Sequence, residues 1–293
     1  MPARRPGLLA VFAWPAAWAM VFLLAAIAFV WALQIGLTIG GVARQAGCVG
    51  ALLALCAVFR RRNRSIADMA EGWALWFAFT PAVAVLSYLA ASCAFPLQDA
   101  LLQQADLFIG FDWSAWHKLV VDRPAVRWPL LLAYVSLLPQ TFFAIIYFPA
   151  TEKSARVGEL FLLAGATGAV TVLISALMPA LGPFARYAAA GDEVGYLRDV
   201  LALRADGPWH FEMSAMEGII TMPSYHTVMA LLIAYAFRHT GLVGYGIATL
   251  NAAMLLSIPS IGGHYLVDVL AGGALAFAAI GFQRSARRLF GAD

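Results

Sequence analysis

The sequence has little charge, and this shortage excludes an ordinary soluble protein. Only 12% of the 293 residues are charged and 62% are hydrophobic, whereas a soluble domain carries about a quarter charged residues. A helix needs about 20 apolar residues to cross a bilayer. Five stretches without Asp, Glu, Lys or Arg exceed that length: 6–43, 72–98, 128–151, 161–185 and 241–263. The composition therefore indicates an all-α, polytopic membrane protein.

Cysteine is also scarce. Cys48, Cys56 and Cys93 all lie in apolar stretches, where small buried residues are the ordinary interpretation and a disulfide framework is not expected. No Cys/His spacing matches a metal site, so we expect no metal and no cofactor. The basic residues lie in short clusters between the apolar stretches, a pattern that reflects membrane topology and predicts no nucleic-acid partner.

Hydropathy predicts about eight transmembrane helices in one membrane domain, 1–293. The first apolar run is far longer than the ~7–15 residues of a signal-peptide core, so we expect it to be a retained span. Residues 1–96 form an N-terminal three-span portion, 97–128 an interfacial segment and 129–283 a catalytic helical core. The predicted spans are 8–30, 38–59, 73–95, 129–149, 157–180, 222–238, 241–260 and 264–283.

The Lys and Arg residues are distributed unequally between the two sets of span ends. One set carries 12, including Arg4 and Arg5, and the other carries 6. The positive-inside rule then places both termini in the cytoplasm. We expect a multi-pass protein of the inner (cell) membrane, with the loops 96–128 and 181–221 and the turn 261–263 facing the periplasm or exterior.

Two short polar motifs begin otherwise apolar stretches: Pro223–Thr227 and Gly262–Asp268. Titratable groups are costly inside a membrane, so these residues are candidates for function. One helical hairpin, 222–260, separates the motifs. We therefore expect both motifs to reach the same, outer face.

The first motif has the chemistry of an anion site. Pro223 suits the first turn of a helix, where its missing N–H costs nothing. The backbone amides that follow, including that of Tyr225, would then point outward and could bind a phosphate. Ser224 adds a hydroxyl donor, and His226 could donate a proton.

The second motif has the chemistry of an activated histidine. His264 and Asp268 are four residues apart and share a helix face, and a carboxylate beside a histidine fixes its tautomer and stabilises its cationic form. Such a histidine can act as a base or a nucleophile. Gly262 and Gly263 allow the backbone to approach a ligand closely.

Together, the motifs resemble those of the type-2 phosphatidic acid phosphatase superfamily. That family carries Pro-Ser-x-His and a later His-x-x-x-Asp, each opening a span of a helical bundle; the resemblance covers roughly 157–283. It implies that His264 attacks phosphorus to form a phosphohistidine and that Asp268 orients it. It further implies that His226 protonates the leaving alkoxide, that Ser224 helps to hold the phosphate, and that no metal is needed.

The sequence departs from that family in its cations. The usual Lys-x6-Arg-Pro motif is absent, and Ile258 occupies the position of the usual Arg in the last motif. Because a phosphoryl group in transit needs positive charge around its oxygens, another cation must supply it. Arg186, which follows the fifth predicted span, is the first candidate, and Arg198 is the second.

The stretch Gly263–Gly272 is similar to that of fungal inositol phosphorylceramide synthases and their bacterial relatives. The resemblance implies an enzyme that transfers a phospho-headgroup between lipids or hydrolyses it. We expect a lipid phosphatase acting on a lipid phosphate in the bilayer, because water is the default nucleophile. A lipid phosphotransferase that moves a phospho-headgroup to another lipid or polyol is the alternative. A non-catalytic lipid-binding or transport protein stays open as a third function. The lipid and the oligomeric state are not encoded in these motifs.

Overall fold

The structure is a computed structural model that describes residues 8–32, 39–187, 195–205, 211 and 216–289. Arg4 and Arg5 lie outside the described residues. Within these ranges the chain forms thirteen α-helices and no strand, which confirms the all-α prediction. The helices are α1 Leu8–Ala32, α2 Ile39–Phe59, α3 Arg64–Ser92, α4 Asp99–Phe108, α5 Trp113–Val121, α6 Pro124–Val135, α7 Leu137–Ala150, α8 Ala155–Leu177, α9 Phe184–Tyr187, α10 Gly195–Arg204, α11 Tyr225–Ala236, α12 Leu242–Ile261 and α13 Leu266–Leu289.

Six of the described helices are long and apolar enough to cross a membrane: α1, α2, α3, α8, α12 and α13. The pair α6 and α7, bent by 44°, makes a seventh if it is one span. The predicted span 222–238 contains only α11, which has 12 residues. At ~1.5 Å per residue it is about 18 Å long, short of the ~30 Å hydrocarbon layer. The described residues thus contain six or seven candidate spans, compared with the approximate count of eight that hydropathy predicted.

The bend between α6 and α7 has a local cause in the sequence. Pro139 is the third residue of α7; it has no N–H, and its ring would clash with the carbonyl of Val135 in a continuous helix. Helix α6 ends at Val135, and Ser136 separates the two helices. The predicted span 129–149 is thus two helices, and the first of them begins earlier, at Pro124.

The N-terminal helices pack on the rest of the bundle mainly through α8. Helix α1 contacts both α3 and α8, whereas α2 packs chiefly on α3. Residues of α1, α3 and α8 share one buried apolar cluster, which includes Val21, Leu75 and Phe161. The division of the chain at residue 96 stays a prediction.

Helices α11 and α13 both begin at one end of the bundle and finish at the other. At the far end, Arg238 Nη2 lies 3.0 Å and Arg287 Nη2 lies 2.9 Å from the same Glu159 oxygen. Arg156 donates to the carbonyl of Ala236 at 2.6 Å. We call this end of the bundle the Glu159 end. It is defined by four side chains: Glu159, Arg156, Arg238 and Arg287. The opposite end, where α11 and α13 begin, is the histidine end.

Candidate active site

The first motif forms the start of α11. Ser224 is the N-cap residue, and its Oγ accepts a hydrogen bond from the Thr227 N–H at 3.4 Å. Its side chain is fully buried. The Tyr225 hydroxyl donates to the Ala164 carbonyl of α8 at 2.7 Å, so only the backbone of Tyr225 remains to meet a ligand. His226 is half-buried on the first turn.

Two hydrogen bonds join the first motif to the second. The Ser224 N–H donates to the Asp268 carbonyl at 3.0 Å, and His264 Nδ1 lies 2.8 Å from the Thr221 carbonyl. Helix α11 also packs along α13. The two motifs, about 40 residues apart in sequence, therefore form a single buried site at the histidine end.

The Thr221 contact determines the tautomer of His264. A carbonyl oxygen can only accept a hydrogen bond, so Nδ1 must carry the proton and the neutral ring keeps its lone pair on Nε2. Burial lowers the pKa of His264 to about 4, although the bond to Thr221 opposes that shift. Nε2 is consequently unprotonated, and able to act as a nucleophile, at neutral pH.

Tyr134 of α6 lies close to both histidines. Its ring stacks on that of His226, with centroids 4.6 Å apart and planes 15° apart. A Cβ placed on Gly262 would be 2.9 Å from Tyr134 Cε2 and 3.1 Å from His264 Cδ2. The Tyr134 and His264 rings therefore lie close together beside Gly262. The two imidazoles are also close enough to interact electrostatically. Sequence reasoning missed Tyr134, because nothing in α6 marks one aromatic residue among several.

Asp268 is buried beside His264 but is not its hydrogen-bond acceptor. The Asp268 Oδ2 atom accepts the Tyr265 N–H at 2.9 Å and lies 3.6 Å from His264 Nδ1, beyond hydrogen-bonding distance. Among the described residues Oδ1 has no partner. The Asp268 carboxylate is therefore placed to stabilise positive charge on the His264 imidazole. The orientation of that imidazole is fixed by the Thr221 carbonyl.

Helix α4 holds the loops of the site through two carboxylates that sequence reasoning did not single out. Asp106 is buried and accepts the N–H groups of Leu266 and Val267 at 2.8 and 2.9 Å, so it caps α13. Burial raises the pKa of Asp106, and these two amides oppose the shift. Asp99 accepts the Gly182 N–H at 2.8 Å and the Tyr265 hydroxyl at 3.2 Å.

Helix α5 holds the other side of the same turn. Trp113 Nε1 donates to the Pro259 carbonyl at 2.7 Å, and His117 Nδ1 lies 3.2 Å from the Ser260 carbonyl. Residues 259–267, which carry His264, are thus tied to α5 before the histidine and to α4 after it. The predicted interfacial segment, 97–128, is part of the framework of the site.

The close approach of the Phe184 ring to the backbone of this turn requires glycine at position 263. Its φ is +66°, in the left-handed region, and a Cβ there would be 2.3 Å from Phe184 Cδ2. Phe184 in turn contacts Trp113 edge-on, with ring centroids 5.6 Å apart. The glycine therefore lets an aromatic ring pack directly over the backbone next to His264.

Both candidate cations are exposed, and neither has a contact with a histidine among the described residues. Arg186 is exposed on α9, two residues after Phe184, and its guanidinium lies 5.9 Å from the Tyr187 ring centroid. The Arg198 side chain is 81% exposed and pairs with Asp199 at 3.2 Å, with no contact to the site among the described residues. Arg127, which sequence reasoning missed, interacts electrostatically with His117. No cluster of three or more His, Cys, Asp or Glu able to hold a metal occurs in the described part of the chain.

Comparison with known proteins identifies a family. A family model described as the PAP2 superfamily matches residues 100–282. The match begins well before residue 157, so it includes α4, α5 and the bent pair as well as the helices with the motifs. No curated protein and no solved structure matches the chain.

Proposed function

Because this chain belongs to the PAP2 superfamily, a family of phosphatase-type enzymes, we propose that it hydrolyses a lipid phosphate ester through a phosphohistidine intermediate. The observation that carries the proposal is the pair of hydrogen bonds that unite the two motifs. They bring an unprotonated His264 Nε2, a second imidazole and a buried carboxylate into one site.

In the first step, His264 Nε2 attacks phosphorus and the bond from phosphorus to the lipid oxygen breaks. Burial and the neighbouring His264 lower the pKa of His226 to about 4 in the free site, so His226 takes up a proton as the anionic phosphate binds beside it. It then gives that proton to the departing alkoxide. The phosphorylated imidazole is cationic, because Nδ1 keeps its proton, and the Asp268 carboxylate 3.6 Å away offsets that charge. The Thr221 carbonyl holds the ring in the attacking orientation throughout.

In the second step, water attacks phosphorus and the bond to His264 Nε2 breaks. His226, now neutral, accepts the proton of the water, so the enzyme returns to its starting state. We propose that Ser224, Gly263 and the Tyr225 backbone amide lie around the phosphoryl oxygens and that Arg186 supplies the positive charge that the transition state needs. Arg198, which pairs with Asp199, is the weaker candidate for that charge. No metal takes part in these steps.

One observation favours transfer to a lipid or polyol hydroxyl in the second step. His264 is only 5% exposed, and aromatic rings from α5 and α9 pack on one another beside its loop. A site with little room for water favours a hydroxyl that arrives with its own apolar chain. In that reaction the alcohol replaces water and the phospho-headgroup moves to the acceptor, as the similarity to inositol phosphorylceramide synthases implies.

We further propose that the histidine end faces the periplasm or exterior and that both termini are cytoplasmic. The Lys and Arg distribution supports this orientation. Arg156, Arg238 and Arg287 all lie at the Glu159 end, opposite to the histidines.

The test is an assay of the purified protein with a panel of lipid phosphates and of phospholipids with labelled headgroups. Release of free phosphate identifies a phosphatase, and label on an added lipid alcohol identifies a phosphotransferase. His264→Ala should abolish either reaction. His239→Asn, at an exposed position near the Glu159 end, is the matched control and should keep full activity.

Full activity of His264→Ala would contradict the mechanism. If neither release nor transfer occurs with any lipid in the panel, the non-catalytic lipid-binding function replaces the proposal.

A further inference from the structure

A second site is suggested by a cavity that none of the proposed catalytic residues lines. It has a volume of about 460 Å³ and lies between α1, α8 and α13. Most of its wall is apolar, with Leu162, Val170 and Leu275 among the lining residues. Gln283 and Arg287, near the end of α13, are its polar lining residues at the Glu159 end. We call this cavity the α8–α13 groove.

The polar end of the groove has unused hydrogen-bonding capacity. Arg287 Nε and Gln283 Oε1 are buried without a partner among the described residues. A buried donor and acceptor without partners cost stability. The Arg287 side chain is nevertheless 26% exposed, so a ligand in the groove could reach its guanidinium. Together the two side chains offer one charged donor and one neutral acceptor.

The charge balance at this end is positive. Arg156, Arg238 and Arg287 are grouped around a single carboxylate, Glu159. Within the described residues, this group therefore has one negative charge and three positive charges. The surplus suits an anionic ligand, whereas the apolar wall suits an acyl chain.

We propose that the α8–α13 groove binds one anionic phospholipid whose headgroup carries a hydroxyl, in the leaflet opposite to the histidine end. One acyl chain lies along α8 and α13. The lipid phosphate accepts a hydrogen bond from Arg287, and the headgroup hydroxyl donates to Gln283. The site is separate from the proposed catalytic site, and its occupancy does not depend on that function.

The test uses the purified full-length protein in an uncharged detergent. Its thermal unfolding midpoint is followed during titration with dioleoyl phosphatidylglycerol and, in parallel, with dioleoyl phosphatidylcholine, which has the same chains but neither net charge nor a hydroxyl. A ligand that binds the folded state alone raises the midpoint as its concentration rises. We expect half-maximal stabilisation at an about tenfold lower concentration of the anionic lipid, the difference that one charge-assisted hydrogen bond provides.

Two variants with matched controls locate the effect. Arg287→Gln should raise the half-maximal lipid concentration about tenfold, whereas Arg284→Gln, exposed on the same helix and outside the groove, should leave it unchanged. Ala279→Phe fills the apolar wall and should weaken the response to both lipids. Ala274→Phe, at an exposed position outside the groove, should not.

Equal responses of the parent protein to the two lipids would overturn the proposal, and so would responses of Arg287→Gln and Ala279→Phe that match their controls. A response that is lost in His226→Ala but kept in Arg287→Gln would place the lipid at the histidine end instead. Because binding is measured without turnover, absence of enzymatic activity would not affect the result.

Discussion

The two ends of the helical bundle use buried carboxylates in opposite ways. At the Glu159 end one carboxylate is paired with arginine side chains at 2.9 and 3.0 Å. At the histidine end, Asp106 and Asp268 accept hydrogen bonds from backbone N–H groups. One end thus uses ion pairs to hold helix termini together. The other uses carboxylates to shape a loop, which leaves the imidazoles available for chemistry.

After the complete loss expected in His264→Ala, the largest effect should come from His226. Loss of the general acid in His226→Ala should lower turnover of an alkyl lipid phosphate about 10²- to 10⁴-fold. The first step with an aryl phosphate, whose leaving group needs no proton, should lose much less. The measurement is kcat/KM for both substrates with each enzyme, because kcat/KM reports the first step, whereas the second step is common to both substrates. Equal losses for the two substrates would show that His226 is not the proton donor.

The next effect should appear at the Glu159 end and be confined to stability. Glu159→Gln leaves the arginines without their anion and should lower the free energy of unfolding by about 3 kcal/mol. Activity per folded molecule should not change, because these side chains lie far from the histidines. Thermal unfolding and kcat report the two properties. Glu152→Gln, at an exposed position, is the control, and a loss of kcat in Glu159→Gln would break the comparison between the ends.

A smaller effect on stability, joined to a loss of activity, is expected at Asp106. Asp106→Ala removes the cap of α13 and should cost about 1–2 kcal/mol. It should also lower kcat, because Leu266 and Val267 follow directly after the turn that carries His264. Asn63 caps α3 through the Ile66 N–H at 3.2 Å, outside the framework of the site, so Asn63→Ala should cost a similar free energy with kcat retained. Equal kcat in the two variants would show that the Asp106 cap stabilises the fold alone.

The smallest expected effect is on the pH profile. Burial lowers the pKa of His264 to about 4, so protonation should remove the nucleophile only well below neutral pH. The acid limb of kcat/KM, which reports the free enzyme, should not fall between pH 7 and pH 5.5. An acid limb centred on the ordinary histidine pKa of about 6.5 would mean that His264 is hydrated rather than buried.

The sequence was sufficient to predict the elements made from local patterns. Every long apolar run is helical wherever the structure describes it, although the run 128–151 is divided between two helices. The hairpin formed by α11 and α12 explains why motifs about 40 residues apart meet at one end. The bend at Ser136 could have been predicted from Pro139. The shortness of α11 could not, because residues 222–224 before it and Phe237 after it belong to the same uncharged stretch but are not helical.

The partners within the site could not be predicted in the same way. Asp99, Asp106 and His264 bond to backbone groups of distant residues, and every residue carries such groups, so no side-chain pattern marks the partner. The spacing of His264 and Asp268 correctly indicated that they are neighbours. It did not indicate that the Thr221 carbonyl, rather than the carboxylate, accepts the Nδ1 proton.

The central claim is that His264 Nε2 forms a covalent bond to phosphorus. The direct measurement is to mix the enzyme with a lipid phosphate labelled with radioactive phosphorus, stop the reaction in alkaline denaturant, and count label on the protein. We predict a label that is stable to alkali, released by acid and absent from His264→Ala. In His226→Ala assayed with an aryl phosphate, where the second step is slowed, the label should accumulate. Turnover without any labelled protein, or label that persists in His264→Ala, would contradict the account.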